Sequence, residues 1–190
     1  MVSAIFPVDH YNYSGKEALL FDTNVWLLIF GPQYSVNDPR TVRYSLGFKR
    51  ILAAKASIFI DALILSEFIN RWARYACNNV PAGQKPKNYK AFCKSLLFQT
   101  VAQDIAATTR KIMNFCNRTN SGFDTLDMDS LLNDFETGKK DFNDQVLEDL
   151  CARRGFNLVT DDSDFKPVNL TLFTANAGGL ISFWAPLRPP

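Results

Sequence analysis

Short apolar runs alternate with amphipathic stretches along most of the chain. Four of the runs have the length and the apolar content of buried strands. They cover residues 18–21, 57–60, 157–160 and 169–173. Apolar residues at helical spacing predict helices over residues 40–56, 62–77, 89–116, 128–135 and 141–154. Strands that alternate with helices are typical of a parallel sheet with helices on both faces, so the pattern predicts an α/β fold.

Polar residues at the predicted helix ends fit known capping preferences. Asp38 precedes Pro39, a residue that suits the first turn of a helix. Asp61 lies where it can cap the helix that follows the second strand. In the last helix, Asp141 suits the N-cap and Gly155 suits the position just beyond the end. These signals support the predicted boundaries.

The composition removes several classes of function. The single histidine, His10, excludes zinc sites with two or three imidazoles and the two-histidine nucleases. The four cysteines are far apart and include no Cys-x-x-Cys pair, so reduced thiols are expected rather than a thiolate metal site. Glycine-rich phosphate-binding motifs are absent from the sequence. Carboxylates are left as the main candidates for chemistry.

The length suits one domain over residues 1–190, with a core over 18–174 and extensions at 1–17 and 175–190. No apolar stretch approaches the roughly 18 residues that span a bilayer, so no membrane insertion is expected. The first residues lack a basic segment and contain Pro7, which is unlike a signal peptide. A cytoplasmic protein is therefore expected.

Acidic residues follow or flank several of the predicted strands. Asp22 ends the first strand, and Asp161 and Asp162 follow a later one. Glu67 lies in the helix that leaves the second strand, and Asp144 lies in the first turn of the last predicted helix. Functional groups of parallel sheets gather beyond the carboxyl ends of the strands. We therefore expect these carboxylates to meet at one edge of the sheet.

The first two of these acids also suit ordinary structural roles. Asp22 suits an Asx-turn or a helix cap, although Asn24 is equally able to cap the next helix and leave Asp22 for another role. Glu67 suits an exposed ion pair with Arg71, four residues on. Because apolar neighbours surround Glu67, a metal partner fits its carboxylate equally well. The local sequence leaves both interpretations open.

Helical position separates the acids of the last helix, but not those of the loop after the third predicted strand. Asp144 flanks the apolar side of its helix and Asp141 points towards solvent, so Asp144 is the better site residue and Asp141 the better cap. The loop carries Asp161, Asp162 and Asp164. Spacing does not decide which of these three faces the site, because the backbone there is a turn.

A cluster of carboxylates favours a divalent cation. Carboxylates at close range repel one another unless a positive charge lies among them. Mg²⁺ and Mn²⁺ accept oxygen-only ligands, which matches a cluster without His or Cys. Such a cation lowers the pKa of bound water and stabilises the charge that develops on a phosphoryl group. The acids therefore predict phosphodiester hydrolysis.

Four segments carry these acids in a characteristic order. They are Leu19-Leu-Phe-Asp22-Thr-Asn24, Leu65-Ser-Glu67, Asp144 with Gly155-Phe-Asn-Leu-Val-Thr160, and Thr160-Asp-Asp162-Ser-Asp164-Phe165. Together they resemble the PIN-domain nucleases, and most closely the VapC-like toxin ribonucleases of toxin–antitoxin modules. The resemblance spans residues 18–174 and implies a three-layer α/β/α domain with a central parallel sheet.

The resemblance also implies a role for each matched residue. The catalytic acids, which would hold one or two Mg²⁺ or Mn²⁺ ions, are Asp22, Glu67, Asp144 and Asp162. Asp164 would be an accessory metal ligand. The residues that would support the site through hydrogen bonds are Thr23, Asn24 and Thr160. The implied reaction cleaves RNA to leave a 5′-phosphate and a 3′-hydroxyl, and the implied protein partner is an antitoxin.

Charge and aromatic content bear on the partners. The net charge is +2, and without the four catalytic acids it is +6, from 21 basic and 15 acidic residues. The candidate RNA-binding residues are Arg40, Arg43, Lys49, Arg50, Lys87 and Lys90, with Lys85 and Lys94 nearby. A solvated helix face is the alternative for each of them. Sixteen phenylalanines indicate a bulky core and an apolar face that a homodimer would cover.

Two other functions remain open at this point. A non-catalytic RNA-binding or assembly module on the same fold would be expected to lack some of the four acids, and all four are present. A metal-dependent phosphohydrolase would favour an Asp-x-Asp motif after the first strand, where this chain has Asp22-Thr-Asn24.

Overall fold

A parallel sheet forms the centre of the protein, in a computed structural model that describes residues 4–32, 34–138, 141–163 and 170–176. Within these ranges its strands are β1 (Ala4–Pro7), β2 (Ala18–Phe21), β3 (Ser57–Ile60), β4 (Asn117–Arg118), β5 (Asn157–Val159) and β6 (Thr171–Thr174). Their order across the sheet is β1-β6-β5-β2-β3-β4, and every neighbouring pair is parallel. The predicted α/β fold with a central parallel sheet is confirmed.

Helices flank the sheet, as in a three-layer α/β/α architecture. Over the described ranges they are α1 (Thr23–Phe30), α2 (Pro39–Ala53), α3 (Ala62–Asn78), α4 (Tyr89–Cys93), α5 (Leu96–Phe115), α6 (Met128–Glu136) and α7 (Phe142–Arg154). Single 3-10 turns lie at Ala82–Gln84 and Phe123–Thr125. None of the helices in the part of the chain that the structure describes is long and apolar enough to cross a membrane.

The core lies on both faces of the central strands. Leu19, Leu20 and Phe21 of β2 are buried, and so are Leu158 and Val159 of β5. Side chains of a strand point alternately to opposite faces, so burial of consecutive residues requires cover on both sides. The continuous apolar runs in the sequence are the signature of this arrangement.

Capping residues set the helix boundaries largely as predicted. The Asp38 side chain accepts a hydrogen bond from the backbone N–H of Arg40, and Pro39 is the first residue of α2. Asp61 caps α3 by accepting from the N–H of Leu63 at 2.8 Å. Gly155 adopts a left-handed conformation, with φ of 68°, directly after α7, which favours glycine at that position.

The helix predicted over 89–116 is wrong in one respect, because it is two helices. α4 ends at Cys93, and α5 begins after Ser95, whose side chain accepts from the N–H of Phe98. The apolar spacing continues across this break. Periodicity therefore hid an N-cap serine that starts a new helix.

The N-terminal segment forms a strand of the sheet, whereas the sequence predicted only an extension over residues 1–17 before a core over 18–174. Residues of β1 pair with β6 at the edge of the sheet, with Ile5 beside Leu172 and Phe6 beside Phe173. The strand predicted over 169–173 begins in the structure at Thr171. Residues 164–169 and 177–190 lie outside the described residues.

The close approach of α2 to the chain after β1 requires a glycine. A Cβ atom at Gly47 would lie 2.7 Å from Val8 Cγ2 and 2.8 Å from the Val8 carbonyl oxygen. An exposed Gly→Ala change in a helix stabilises by about 1 kcal/mol. We expect Gly47→Ala instead to lower the free energy of unfolding by about 1–3 kcal/mol, through overpacking. Urea unfolding measures this change in the free energy of unfolding. The exposed Arg50→Ala change on the same helix is the control. A Gly47→Ala protein that is more stable than the wild type would contradict the close contact.

Candidate active site

The carboxyl ends of β2 and β5 place Asp22 beside Thr160. The backbone N–H of Asp22 donates to the carbonyl oxygen of Val159 at 2.9 Å, which continues the pairing of the two strands. The Thr160 hydroxyl donates to Asp22 Oδ2 at 2.8 Å. Asp22 is only 8% exposed, so a buried carboxylate is held at the edge of the sheet by a residue 138 positions away.

Asn24 connects Asp22 to the loop after β5. Its Nδ2 donates to Asp22 Oδ2 at 2.6 Å and to Thr160 Oγ1 at 3.3 Å, and its Oδ1 accepts from the N–H of Asp161 at 3.1 Å. The expectation that Asn24 caps the following helix is wrong, because α1 begins at Thr23 and Asp22 takes the N-cap position. The Asp22 carboxylate makes no capping bond there. It is oriented towards Thr160 and Asn24 instead.

Glu67 lies on the second turn of α3 and contacts the start of α1. The Thr23 hydroxyl is 3.1 Å from Glu67 Oε2 and donates to it. On the other side, Arg71 Nη1 lies 3.3 Å from Glu67 Oε1. The ion pair considered from the sequence is therefore present, but Glu67 also contacts the same sheet edge as Asp22.

Asp141 and Asp144 both lie at the start of α7, but their surroundings differ. The Asp141 side chain caps the helix, as predicted, by accepting from the N–H of Asn143 at 2.8 Å. Asp144 is half-buried one turn further on. Burial, together with the negative charges of Asp22, Asp141, Asp162 and Glu67, raises the pKa of Asp144 to about 7.

The same charges act on Asp22. Burial raises the pKa of Asp22, the hydrogen bond from Thr160 opposes this rise, and the charges of Glu67 and Asp162 add to it. Asp22, Glu67, Asp144 and Asp162 thus influence one another electrostatically, since the charges of Glu67 and Asp162 raise the pKa of both Asp22 and Asp144. They come from four separate segments: the end of β2, α3, α7 and the loop after β5.

The three acids of the loop after β5 differ in their surroundings. Asp161 Oδ2 lies 3.1 Å from Arg40 Nη1, so an arginine holds this carboxylate. The N–H of Asp162 donates to Thr160 Oγ1 at 3.1 Å, which keeps Asp162 next to Asp22. Asp164 lies outside the described residues.

The carboxylates at this edge match a hard divalent cation in their chemistry, but not in their present placement. Over residues 4–32, 34–138, 141–163 and 170–176, no group of three or more acidic, Cys or His side chains is placed so that it could hold a metal ion. Protein donors hold the Asp22 and Glu67 oxygens instead. Carboxylate oxygens nevertheless have the ligand chemistry that Mg²⁺ and Mn²⁺ require.

Tyr44 supports the site in a way that the sequence did not indicate. Its hydroxyl donates to the carbonyl oxygen of Thr160 at 2.8 Å and accepts from the N–H of Ala175 at 2.9 Å. Tyr44 is buried, and this burial raises its pKa. It therefore fixes the backbone just where β5 gives way to the acidic loop. No local signal marks a contact between residues 116 positions apart.

The predicted RNA-binding residues fall into two groups. Arg40 contacts Asp38 and Asp161, and Arg43 contacts Asp9 through two nitrogens at 2.8 and 2.9 Å. Both arginines are thus engaged within the protein. The other four members of the set, Lys49, Arg50, Lys87 and Lys90, are exposed.

The acidic edge of the sheet is the candidate functional site of the described residues. Perturbed carboxylates that come from distant parts of a chain cluster at functional sites more often than elsewhere, and the carboxyl edge of a parallel sheet is where such sites form. Comparison with known proteins assigns no family, because no protein-family model matches the chain and no curated protein matches it.

Proposed function

We propose that this protein is a metal-dependent ribonuclease with a PIN-like fold that hydrolyses RNA phosphodiester bonds at the acidic edge. One observation carries the proposal: Asp144 has its pKa raised to about 7 by burial and by acids from three other parts of the chain. A protein without a ligand for this region would gain stability from replacing such charges. Function is the reason to keep them together.

The residues that would hold Mg²⁺ or Mn²⁺ are Asp22, Glu67, Asp144 and Asp162, with Asp164 as an accessory ligand. When bound, the cation supplies positive charge that polarises water and stabilises a phosphoryl transition state. The remaining work belongs to the chain. Thr160 and Asn24 orient Asp22 through Oδ2, and Thr23 orients Glu67.

Arg71 adds a cation next to these acids. Its guanidinium contacts Glu67, and its side chain is 52% exposed. An exposed guanidinium at this position is able to form hydrogen bonds with two oxygens of a phosphate. With Glu67 serving as a metal ligand, the Arg71 guanidinium would be available to the RNA backbone.

The proposal extends to the toxin of a toxin–antitoxin pair, acting in the cytoplasm with a protein antitoxin and a homodimer as partners. Induced expression would then arrest growth only while the four acids are intact. Harmless expression of the wild-type protein in several hosts would contradict this extension and leave the nuclease proposal in place.

One observation favours a second candidate, a non-catalytic RNA-binding module. The Asp22 and Glu67 carboxylates already accept hydrogen bonds from protein groups in the described residues, so they have partners without a cation. Such a module would bind RNA and leave it intact.

Cleavage of a mixed RNA pool separates the two candidates. We expect the wild-type protein to cut RNA in Mn²⁺ and to leave it intact in EDTA, because the cation supplies the positive charge that the phosphoryl group needs. End-labelling should find 5′-phosphates and 3′-hydroxyls. An Asp144→Asn protein purified in parallel controls for contaminating nucleases. RNA that is bound but uncut in Mn²⁺ would favour the binding module.

A further inference from the structure

The stretch after Glu67 has an unusual charge pattern. Residues 68–103 contain six of the basic residues of the chain and none of its acidic residues. The six are Arg71, Arg74, Lys85, Lys87, Lys90 and Lys94, and all of them are exposed. In a chain with 21 basic and 19 acidic residues, a single-sign surface of this length indicates an anionic partner.

The first of these residues lie on one face of α3. At 100° per residue, Glu67, Arg71, Arg74 and Asn78 fall within about 60° of one another on the helix. The face starts at the acidic edge, where Arg71 contacts Glu67. With a rise of about 1.5 Å per residue, it runs for about 16 Å from Glu67 to Asn78.

A polar pocket continues this face beyond the end of α3. It has a volume of about 280 Å³ and is lined by Arg74, Cys77, Asn78, Lys85, Pro86, Lys87, Asn88 and Tyr89. The lining contains three cations and no acid. The Arg74 guanidinium lies 4.9 Å from the centre of the Tyr89 ring, which holds it over the pocket wall.

We infer that a single-stranded RNA backbone follows this path, from the acidic edge along α3 into the pocket at residues 85–89. The path is defined by Arg71, Arg74, Lys85, Lys87 and Lys90 and is called the α3 track below. This inference rests on the proposed function for the choice of RNA, since the track starts at the carboxylates where the scissile phosphate would lie.

The shape of the track favours a strand over a broad acidic protein surface. Arg71 and Arg74 lie on one face of α3, Lys85 and Lys87 on the loop that lines the pocket, and Lys90 on α4, with the amide side chains of Asn78 and Asn88 among the pocket residues. A row of cations interleaved with hydrogen-bonding groups follows a phosphate backbone. Arg43, by contrast, is largely buried against Asp9, so it contributes less to such a surface.

Fluorescence anisotropy with a labelled single-stranded RNA, in EDTA, tests the track. We expect the triple change Lys85→Gln, Lys87→Gln and Lys90→Gln to weaken binding about 100-fold at 0.1 M salt. The slope of log K against log salt should become shallower by about 2, since each phosphate contact contributes about 0.7 on single strands. Arg74→Gln should weaken binding further, with melting temperatures confirming that each variant folds.

A matched triple variant with the same change in net charge is the control. Lys16→Gln, Arg110→Gln and Arg118→Gln neutralise three exposed cations outside the track, and this variant should keep wild-type affinity within about twofold. Equal loss in both triple variants, or unchanged affinity in the track variant, would overturn the inference. So would competition by poly-glutamate as effective as that by RNA, because the surface would then fit an acidic polypeptide.

Binding in EDTA does not depend on cleavage, so the two proposals fail separately. If the wild-type protein never cuts RNA in Mn²⁺ but loses RNA affinity in the track variant, the nuclease proposal falls and the track remains. If it cuts RNA with unchanged affinity in the track variant, the track falls and the nuclease proposal remains.

Discussion

Asp144→Asn is expected to abolish RNA cleavage and to make the metal-free protein more stable at pH 8. Cleavage should fall by at least about 1,000-fold, because the variant removes one of the four carboxylates of the proposed metal site. Stability should rise because the asparagine carries no charge next to Asp22, Asp162 and Glu67. A residue that destabilises the fold while serving the reaction is typical of an active site.

The stability gain should depend on pH in a defined direction. The folded protein raises the pKa of Asp144 to about 7, so between about pH 4 and pH 7 it binds a proton more tightly than the unfolded chain does. The stability that this proton contributes is complete below the unfolded pKa and is lost as the pH rises through 7. The wild-type protein should therefore match the variant near pH 4 and be less stable than it at pH 8.

The expected size is modest because Asp144 is only half-buried. After allowance for solvent screening, the difference at pH 8 is about 1–2 kcal/mol, or about 3–6 °C in melting temperature for a protein of this length. Thermal unfolding in EDTA at the two pH values measures it. Mn²⁺ should reverse the order at pH 8 by stabilising the wild-type protein more than the variant.

Asp141→Asn is the matched control for this experiment. Asp141 lies three residues before Asp144 and caps the same helix, and asparagine is an equally good N-cap. This variant should keep its activity and should unfold within about 0.5 kcal/mol of the wild-type protein. A large loss of activity in Asp141→Asn, or none in Asp144→Asn, would assign the wrong acid to the site.

The fold was accessible from the sequence because its signals are local. Buried parallel strands are continuous apolar runs, and the starts of α2, α3 and α7 carry capping acids next to the helices that they begin. Where prediction failed, two local signals competed. Apolar spacing through residues 89–116 favoured one helix, and the Ser95 cap divides it into two.

The edge strand β1 was missed for a different reason. Its residues Ala4–Pro7 are partly exposed and end in a proline, so they lack the apolar run of a central strand. They become a strand because β6 offers its free edge, and that partner lies more than 160 residues away in the sequence. Tertiary pairing of this kind leaves no local trace.

Some features of the candidate site could be predicted from the sequence, and others could not. The types and order of the acids pointed to one edge of the sheet, because strand direction fixes where their carboxyl ends lie. Several of the hydrogen bonds that orient the site join residues more than 100 positions apart, as in Tyr44 with Thr160 and Asn24 with Asp161. Such contacts depend on packing and are not encoded in any one segment.

Arg43→Met is expected to destabilise the protein by about 3 kcal/mol without changing its affinity for RNA. Arg43 reaches from α2 to Asp9, which follows β1, and also donates to the carbonyl oxygen of Ala175 after β6. The Asp9 side chain is 5% exposed and that of Arg43 is 29% exposed. Removing the arginine leaves a buried carboxylate without its cation, at the point where the edge strand joins the helix layer.

The pKa of Asp9 gives this prediction a second measurement. Burial pushes the pKa of Asp9 upward, but hydrogen bonds from Arg43 and the backbone, and the charge of Arg43, outweigh it and leave the pKa below its usual range. The stability that the pair contributes is present above about pH 4 and is lost as the pH falls through the lowered pKa. In Arg43→Met this loss on the acid side should disappear, because the low pKa depends on the arginine.

Arg40→Met, three residues earlier on the same helix, is the control. Arg40 also bridges two acids, Asp38 and Asp161, but its side chain is 55% exposed, so its loss should cost less than about 1 kcal/mol. A double change, Asp9→Leu with Arg43→Met, should recover much of the lost stability, since a buried pair is replaced by apolar packing. Equal losses for Arg40→Met and Arg43→Met would show that burial does not distinguish the two arginines. Reduced RNA affinity in folded Arg43→Met would instead place Arg43 in the RNA-binding surface.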